Sequence, residues 1–499
     1  MPGDYEKLRQ AILDALTPEQ VGNLLDDPSL RERARLAVYE KLKSAILREL
    51  TPAQIEALLK DEQLLAKARE TKRCVSKPAS PGAAAQPAPP VKQTTFVKTV
   101  SPDKPDGAAR TTSPMDPRDR VRGAMLGLAA GDALGRTVEG IRDEKKLFSQ
   151  NGPKGITQYD LDAWDIAEFT DDTQMALFTA VGILAAQTRG MLRGIGGWPH
   201  THVELAYEDW LFTQRHSFPE SAALPDHQRN SWLLDVPALY HQREPGRTCL
   251  SALSGERPVG AHDYIKHPLN DSKGSGCLVR VAPMGLCAGY ENRYKPENTM
   301  PFIDKEAATL AALTHGHPLG YMSAAVFAHI LHRLVWEKAP MPLRDIVIEA
   351  RDAVGALFPD NPHFPALREK IDQAIQLGGK HWGSDLNNIH ALGTGSTADE
   401  ALAIAIYCAL RYRNDFSSGI IAAVNHRGDS DTTGAATGCI LGALLGCEAI
   451  DARWKEKLEA VDVILEVADD LASGCQMNEY TTDKDDDWLR KYVHMRWKE

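Results

Sequence analysis

Glycine recurs at every fourth position in two separate stretches of this sequence. In residues 425–447, NHRGDSDTTGAATGCILGALLGC, the repeats are Gly434, Gly438, Gly442 and Gly446. In residues 120–140, RVRGAMLGLAAGDALGRTVEG, they are Gly123, Gly127, Gly131 and Gly135. Four residues is close to one helical turn, so each set lines one ridge of a helix and lets a second backbone come near. Each interior glycine costs ~1 kcal/mol relative to alanine, so four in register imply a close neighbour along the ridge. Two glycine-ridged helices in one core are expected. A ridge of small residues is also a transmembrane device. The uncharged runs here fall short of the ~18 residues of a span, and Asp132 interrupts one of them. No membrane segment is expected.

Both kinds of helix start in this chain carry acids. Asp429 and Asp431, followed by Thr432, lead into the 434–446 ridge; Thr170, Asp171, Asp172 and Thr173 lead into the apolar run QMALFTAVGILAA. The helix macrodipole favours carboxylates at such positions. One TDDT is what an ordinary N-cap looks like, but two clusters over-supplied with oxygen ligands point further. Four converging carboxylates repel and raise one another's pKa values unless cations neutralise them. With oxygen ligands and no partnered cysteine or histidine, Mg²⁺ or Mn²⁺ is favoured over Zn²⁺, and the ligand number suits two ions.

The chain is 499 residues long, enough for two or more domains. A net charge of -11 argues against a nucleic-acid backbone as the main partner. The eight cysteines contain no CxxC pair and sit mostly in apolar surroundings, which reads as reduced core thiols in a cytoplasmic protein. The start, MPGDYEKLRQ, carries no secretory signal.

Three regions are expected. Residues 1–70 hold a repeat offset by 34 residues (Tyr5 against Tyr39), YEKLRQAILDALTPEQV against YEKLKSAILRELTPAQI. Each Thr-Pro-x-Gln is a helix start, so this reads as a helical repeat module for protein interaction or dimerisation. Residues 71–116 are rich in proline, alanine and serine, cannot bury enough surface to offset ordering entropy, and read as a disordered linker. From 117 to 499 the pattern is one large all-α domain, with helical runs at 175–186, 310–335 and 398–412. Residues 194–271 and 271–276 look irregular, and the acidic run 483–487 reads as a solvated face.

Five segments taken in order resemble the successive motifs of the ADP-ribosylglycohydrolase family: RGAMLGLAAGDALGRTVE (122–139), FTDDTQMAL (169–177), GCLVRVAPMG (276–285), THGHPLG (314–320) and residues 428–442. The resemblance implies an all-α fold with a binuclear magnesium or manganese centre that cleaves ADP-ribose from modified protein side chains, arginine being favoured. It implies metal ligation by Thr170, Asp171, Asp172, Asp429, Asp431 and Thr432, and an acid that assists chemistry at Glu139. In that mechanism a water acidified by the cations attacks the anomeric carbon, with Asp171, Asp172 or Glu139 as general base. The backbone of the flexible loop Gly274, Ser275, Gly276, Cys277 approaches the pyrophosphate, His315 contacts ADP-ribose, and His317 is structural. Two alternatives share the fold. One is an immunity or regulatory protein whose N-terminal module also binds a partner ADP-ribosyltransferase; the other is an inactive binding or structural relative.

Overall fold

The computed structural model describes residues 116–194, 198–225, 228–255, 263–290, 296–339, 341–380 and 383–493. The chain divides into two units, Met1–Gly107 and Ala108–Glu499, and all described residues belong to the second. The repeat module expected over 1–70 and the linker expected over 71–116 lie outside the described residues, except Asp116, which caps the first helix.

Asp116 starts the first helix by accepting the Arg118 N–H at 3.0 Å, with Pro117 in the first turn, the arrangement that helix N-termini favour. This helix is α1 (Pro117–Arg136). In order follow α2 (Glu144–Asn151), α3 (Asp171–Arg193), α4 (Pro199–Thr213), α5 (Arg247–Ser254), α6 (Ala282–Leu286), α7 (Pro296–Ala312) and α8 (Pro318–Trp336). The second half comprises α9 (Leu343–Leu357), α10 (Phe364–Gly378), α11 (Asp385–Leu392), α12 (Ala398–Arg411), α13 (Phe416–Val424), α14 (Ser430–Leu445), α15 (Val461–Ser473) and α16 (Asp486–Tyr492). Among the described residues there are only isolated bridges and no strand, so the fold is all-α as the pattern predicts.

α1, α3, α8, α12 and α14 are buried on nearly every face and form the centre. Outer helices keep a single apolar stripe, such as Ile464, Val467, Ala468 and Leu471 of α15. α3 alone among the described helices is long and apolar enough to cross a membrane, and 83% of its most apolar window is buried inside the protein, which marks it as a core helix.

At the middle of this core the two glycine ridges meet each other. Gly123, Gly127, Gly131 and Gly135 of α1 face Gly442, Gly438, Gly434 and Ser430 of α14, one turn after another. A Cβ on any of these glycines would come within 3.0 Å of the opposite backbone, closer than real Cβ atoms are found. The glycines are therefore required by approach and not by backbone conformation. Gly446 differs from the expectation: it lies past the end of α14 as its C-cap, with φ +82°, where glycine is favoured for its conformation. Neither ridge has an exposed end.

Two segment expectations are corrected. Residues 310–335 are not one helix but two, broken over residues 313–317. There the His317 Nδ1 accepts the Leu319 N–H at 3.0 Å and Pro318 starts α8, in the first turn where proline is tolerated. The stretch 194–271 is less irregular than it looked, for α4 and α5 lie in it. α4 buries Val203, Ala206, Tyr207 and Trp210, a helical spacing that the neighbouring histidines and tryptophans obscured. Within the 483–487 run, Asp485 caps α16 by accepting the Trp488 N–H at 2.9 Å.

Candidate metal centre

The start of α3 is assembled from three directions. Thr170 is its N-cap, fully buried, and its Oγ1 accepts the Asp172 N–H at 3.3 Å. The Thr170 N–H goes to the Asp132 carboxylate at 3.0 Å, and the Thr173 N–H reaches the same carboxylate at 3.1 Å. The segment before α5 wraps the other side: Asp171 donates its N–H to the Arg243 carbonyl at 3.3 Å and accepts the Gly246 N–H on Oδ2 at 3.2 Å. One turn on, Gln174 Oε1 accepts from Trp210 and Gln214 of the α4 region, at 3.2 and 3.0 Å. Arg243, itself buried, is neutralised by Glu168 and Glu459.

The start of α14 is shaped by the residues just before it. Asn425 exchanges two 2.8 Å hydrogen bonds with the backbone of Ile156. His426 accepts the Gly428 N–H on Nδ1 at 3.1 Å and meets the Thr433 hydroxyl through Nε2 at 2.9 Å, and burial lowers its pKa to about 4, so it is neutral. Asp429 occupies the N-cap position but its side chain does not cap the helix; it accepts the Ser275 hydroxyl instead. Thr432 then joins the two helix starts, its hydroxyl donating to Asp172 Oδ2 at 2.8 Å.

Glu139, just beyond α1, completes the group: one oxygen each of Glu139, Asp429 and Asp431 lie within 4.8 Å of one another. Burial, the Glu244 carboxyl and the charge of Asp429 push Glu139 up to about 8. Burial and the charges of Asp132 and Asp429 push Asp171 up to about 7. Asp172 and Asp431 are raised by burial and by their acidic neighbours. Glu139 Oε2 is also buried with no hydrogen-bond partner. Crowded, desolvated oxygen donors with an orphaned lone pair fit a hard cation.

This crowding has a sign. Carboxyls whose folded-state pKa is raised bind more protons folded than unfolded, so their contribution to stability is full below the ordinary range near 4 and is lost as pH rises. For Glu139 and Asp171 that loss runs through about 7 to 8. In chelator, the unfolding temperature is therefore expected to fall between pH 5 and pH 8.5, and Mg²⁺ is expected to restore most of the loss at pH 8.5. Thermal unfolding at both pH values, with and without Mg²⁺, checks this; equal melting with and without Mg²⁺ would contradict it.

The loop of residues 274–277 borders the same centre. Its Ser275 hydroxyl reaches Asp429, and its N–H is taken by the Ser396 carbonyl at 3.3 Å, so the loop is a tied 3₁₀ turn and not a free one. Cys277 is fully buried, and burial pushes its thiol up to about 12. A Cβ at Gly274 would stand 3.2 Å from His315 Nε2, which brings the loop and the turn between α7 and α8 together. His315 is buried, paired through Nδ1 with the Thr314 hydroxyl at 2.7 Å, and lowered to about 3. His317 caps α8, the structural role expected of it.

Three residues of the site carry no role that the sequence alone assigns. Asp132 was visible as an acid in the ridge motif. Arg243 and Glu244 sit in an aperiodic stretch with no local signal, and Glu244 is held at φ +57°.

Two core helices of an all-α domain bring their acidic starts to one centre, an arrangement suited to metal-assisted hydrolysis. The model of the ADP-ribosylglycohydrolase family matches residues 113–481, and the chain belongs to that family. It is 26% identical over 363 residues to the ADP-ribosylarginine hydrolase Tri1 of Serratia proteamaculans, covering 71% of this chain and 79% of that protein. It is 24% identical to the ADP-ribosyl-[dinitrogen reductase] glycohydrolase of Rhodospirillum rubrum, over 68% of this chain and 90% of that one. The human ADP-ribosylhydrolase ARH3 is 22% identical, over 71% and 92%.

Proposed function

We propose that this chain removes ADP-ribose from modified protein side chains, arginine being favoured, with Thr170, Asp171, Asp172, Asp429, Asp431 and Thr432 holding two Mg²⁺ or Mn²⁺ ions. One observation carries the reading: in a chain of this family, two acidic helix starts are joined by the Thr432–Asp172 hydrogen bond and gathered with Glu139 around one centre. Arginine is favoured because the relatives include ADP-ribosylarginine hydrolases.

When bound, divalent ions at such a centre hold vicinal hydroxyls and acidify water. The chain's own groups do the rest. Asp171 is held by the Gly246 N–H, Asp172 by the Thr432 hydroxyl and Asp429 by the Ser275 hydroxyl, so the donors are oriented in advance. The Thr170 oxygen accepts one N–H and keeps a second lone pair for ligation. Gly274, Ser275, Gly276 and Cys277 form the turn that faces the pyrophosphate, where a Cβ at Gly276 would meet only Cys249 Sγ within 4 Å, at 3.8 Å. His315, neutral and buried beside Gly274, contacts the ADP-ribose as a hydrogen-bonding group and not as a cation. Among Glu139, Asp171 and Asp172, Glu139 is favoured as general base, because its Oε2 is buried and unpartnered.

The test is release of ADP-ribose from arginine-linked and serine-linked modified proteins, in Mg²⁺ and in chelator. Release from the arginine-linked protein in Mg²⁺ alone is expected. Full release in chelator would overturn the metal, preference for serine would overturn the linkage, and no release from either would overturn the activity.

A further inference from the structure

Asp132 is a fully buried carboxylate that the proposed chemistry does not use. Both its oxygens face inward. Oδ1 accepts the Thr170 N–H at 3.0 Å, and Oδ2 accepts the Thr170 N–H at 3.1 Å, the Thr173 N–H at 3.1 Å and the Thr173 hydroxyl at 2.5 Å. Both oxygens are thus committed to the cap of α3, and the carboxylates that do gather, Glu139, Asp429 and Asp431, do not include it. Its three donor groups all belong to the cap of α3, immediately around Asp171 and Asp172.

The same helix that carries Asp132 also touches the other half of the centre. One turn further along α1, Gly135 lies against the backbone of Ser430 and Asp431 at the start of α14, with no room for a Cβ between them. α1 thus grips both acidic helix starts, one through a buried carboxylate and one through a glycine. Charge-assisted hydrogen bonds to backbone N–H groups are short and directional, which suits a spacer that must not give.

We infer that Asp132 is a positioning residue that sets the separation of the two carboxylate pairs across the metal centre, by tying the cap of α3 to the helix on which α14 rests. This rests on the proposed metal-dependent reading. It goes beyond it in giving a buried acid outside the ligand set control over cation affinity. A role in stability alone would leave that affinity unchanged in any variant that still folds.

The experiment is Mn²⁺ titration of the full chain, read by calorimetry or by loss of the free Mn²⁺ resonance signal, beside thermal unfolding. Asp132→Asn keeps the shape but turns an NH₂ toward donors that need an acceptor. Its Mn²⁺ affinity is expected to fall by about 10- to 100-fold, the range for losing an outer partner of a metal ligand. Thr173→Val leaves the carboxylate and removes one donor, and about a tenfold loss is expected; Thr173→Ser, which returns the hydroxyl, should bind as the parent does. If Asp132→Asn does not fold, the Thr173 pair decides. Parent-like Mn²⁺ affinity in folded Asp132→Asn, or in both Thr173 variants, overturns the inference. Failure of the parent chain itself to bind Mn²⁺ overturns the metal reading beneath it.

Discussion

Gly438→Leu is expected to cost more than the ~1 to 3 kcal/mol typical of an overpacked core, and to weaken cation binding along with stability. Ordinary overpacking is relieved when a neighbouring side chain changes rotamer. Here no side chain stands in the way: the first atoms a Cβ would meet are the carbonyl oxygen and carbon of Gly127, and the next is Ile420 Cγ2 at 3.4 Å. The strain must be taken up by moving α1 against α14. The contacts at Gly123, Gly131 and Gly135 share one backbone with Gly127, so the shift reaches both ends. At one end lie Asp429 and Asp431, whose helix start rests on Gly135. Gly379→Ala provides the contrast. Gly379 ends α10 with φ -77°, and a Cβ there would find only carbonyl oxygens at 3.5 and 3.9 Å. That change is expected to be neutral or to stabilise by about 0.4 to 1 kcal/mol through the unfolded chain. Thermal unfolding and Mn²⁺ titration of the two variants decide the matter. Unchanged stability and affinity in Gly438→Leu would mean that the two ridges do not meet.

Asp431→Asn is expected to reduce turnover by more than about 100-fold, beyond the upper range for loss of an outer partner alone. In chelator at pH 8 the same change is expected to raise the unfolding temperature. The two effects have one cause. Asp431 is buried among Asp429, Asp172 and Glu139, which together with burial raise its pKa; in the cation-free protein its charge is a liability. The amide keeps the shape and the oxygen that accepts the Thr432 N–H at 2.9 Å, and removes the charge. With Mg²⁺ the order reverses. A bound ion is expected to stabilise the parent by about 2.7 kcal/mol at a hundredfold excess over its dissociation constant, and the variant by less. Melting curves in chelator and in Mg²⁺, beside the hydrolysis rate, check all three expectations. A variant that turns over like the parent, or that is less stable in chelator, would remove Asp431 from the centre.

Much of this architecture is legible in the chain itself, because it depends on patterns that recur within one helix. A glycine every four residues announces a ridge, a threonine followed by acids announces a helix start, and apolar spacing of 3 and 4 announces an all-α domain. Those signals are local, and they led to both acidic clusters and to the five motifs of the family. Local signals also misled where one pattern covered another. Apolar residues on both sides of Thr314–Pro318 hid the boundary there, and a density of tryptophan and histidine hid α4.

What only the tertiary structure decided is which groups stand opposite one another. That α1 and α14 interlock glycine against glycine follows from two ridges about 300 residues apart meeting in register, since each ridge alone accepts any close partner. The bond from Thr432 to Asp172 spans 260 residues, and the one from Ser275 to Asp429 spans 154. Glu244 and Arg243 enter the centre from a segment without periodicity, and Asp132 binds the cap of α3 instead of joining Glu139, Asp429 and Asp431. None of these facts is a property of a residue or of its neighbours in sequence. They arise because burying two helices on all sides leaves one arrangement that fills the core and satisfies the buried polar groups together, and that arrangement exists only once the chain has closed on itself.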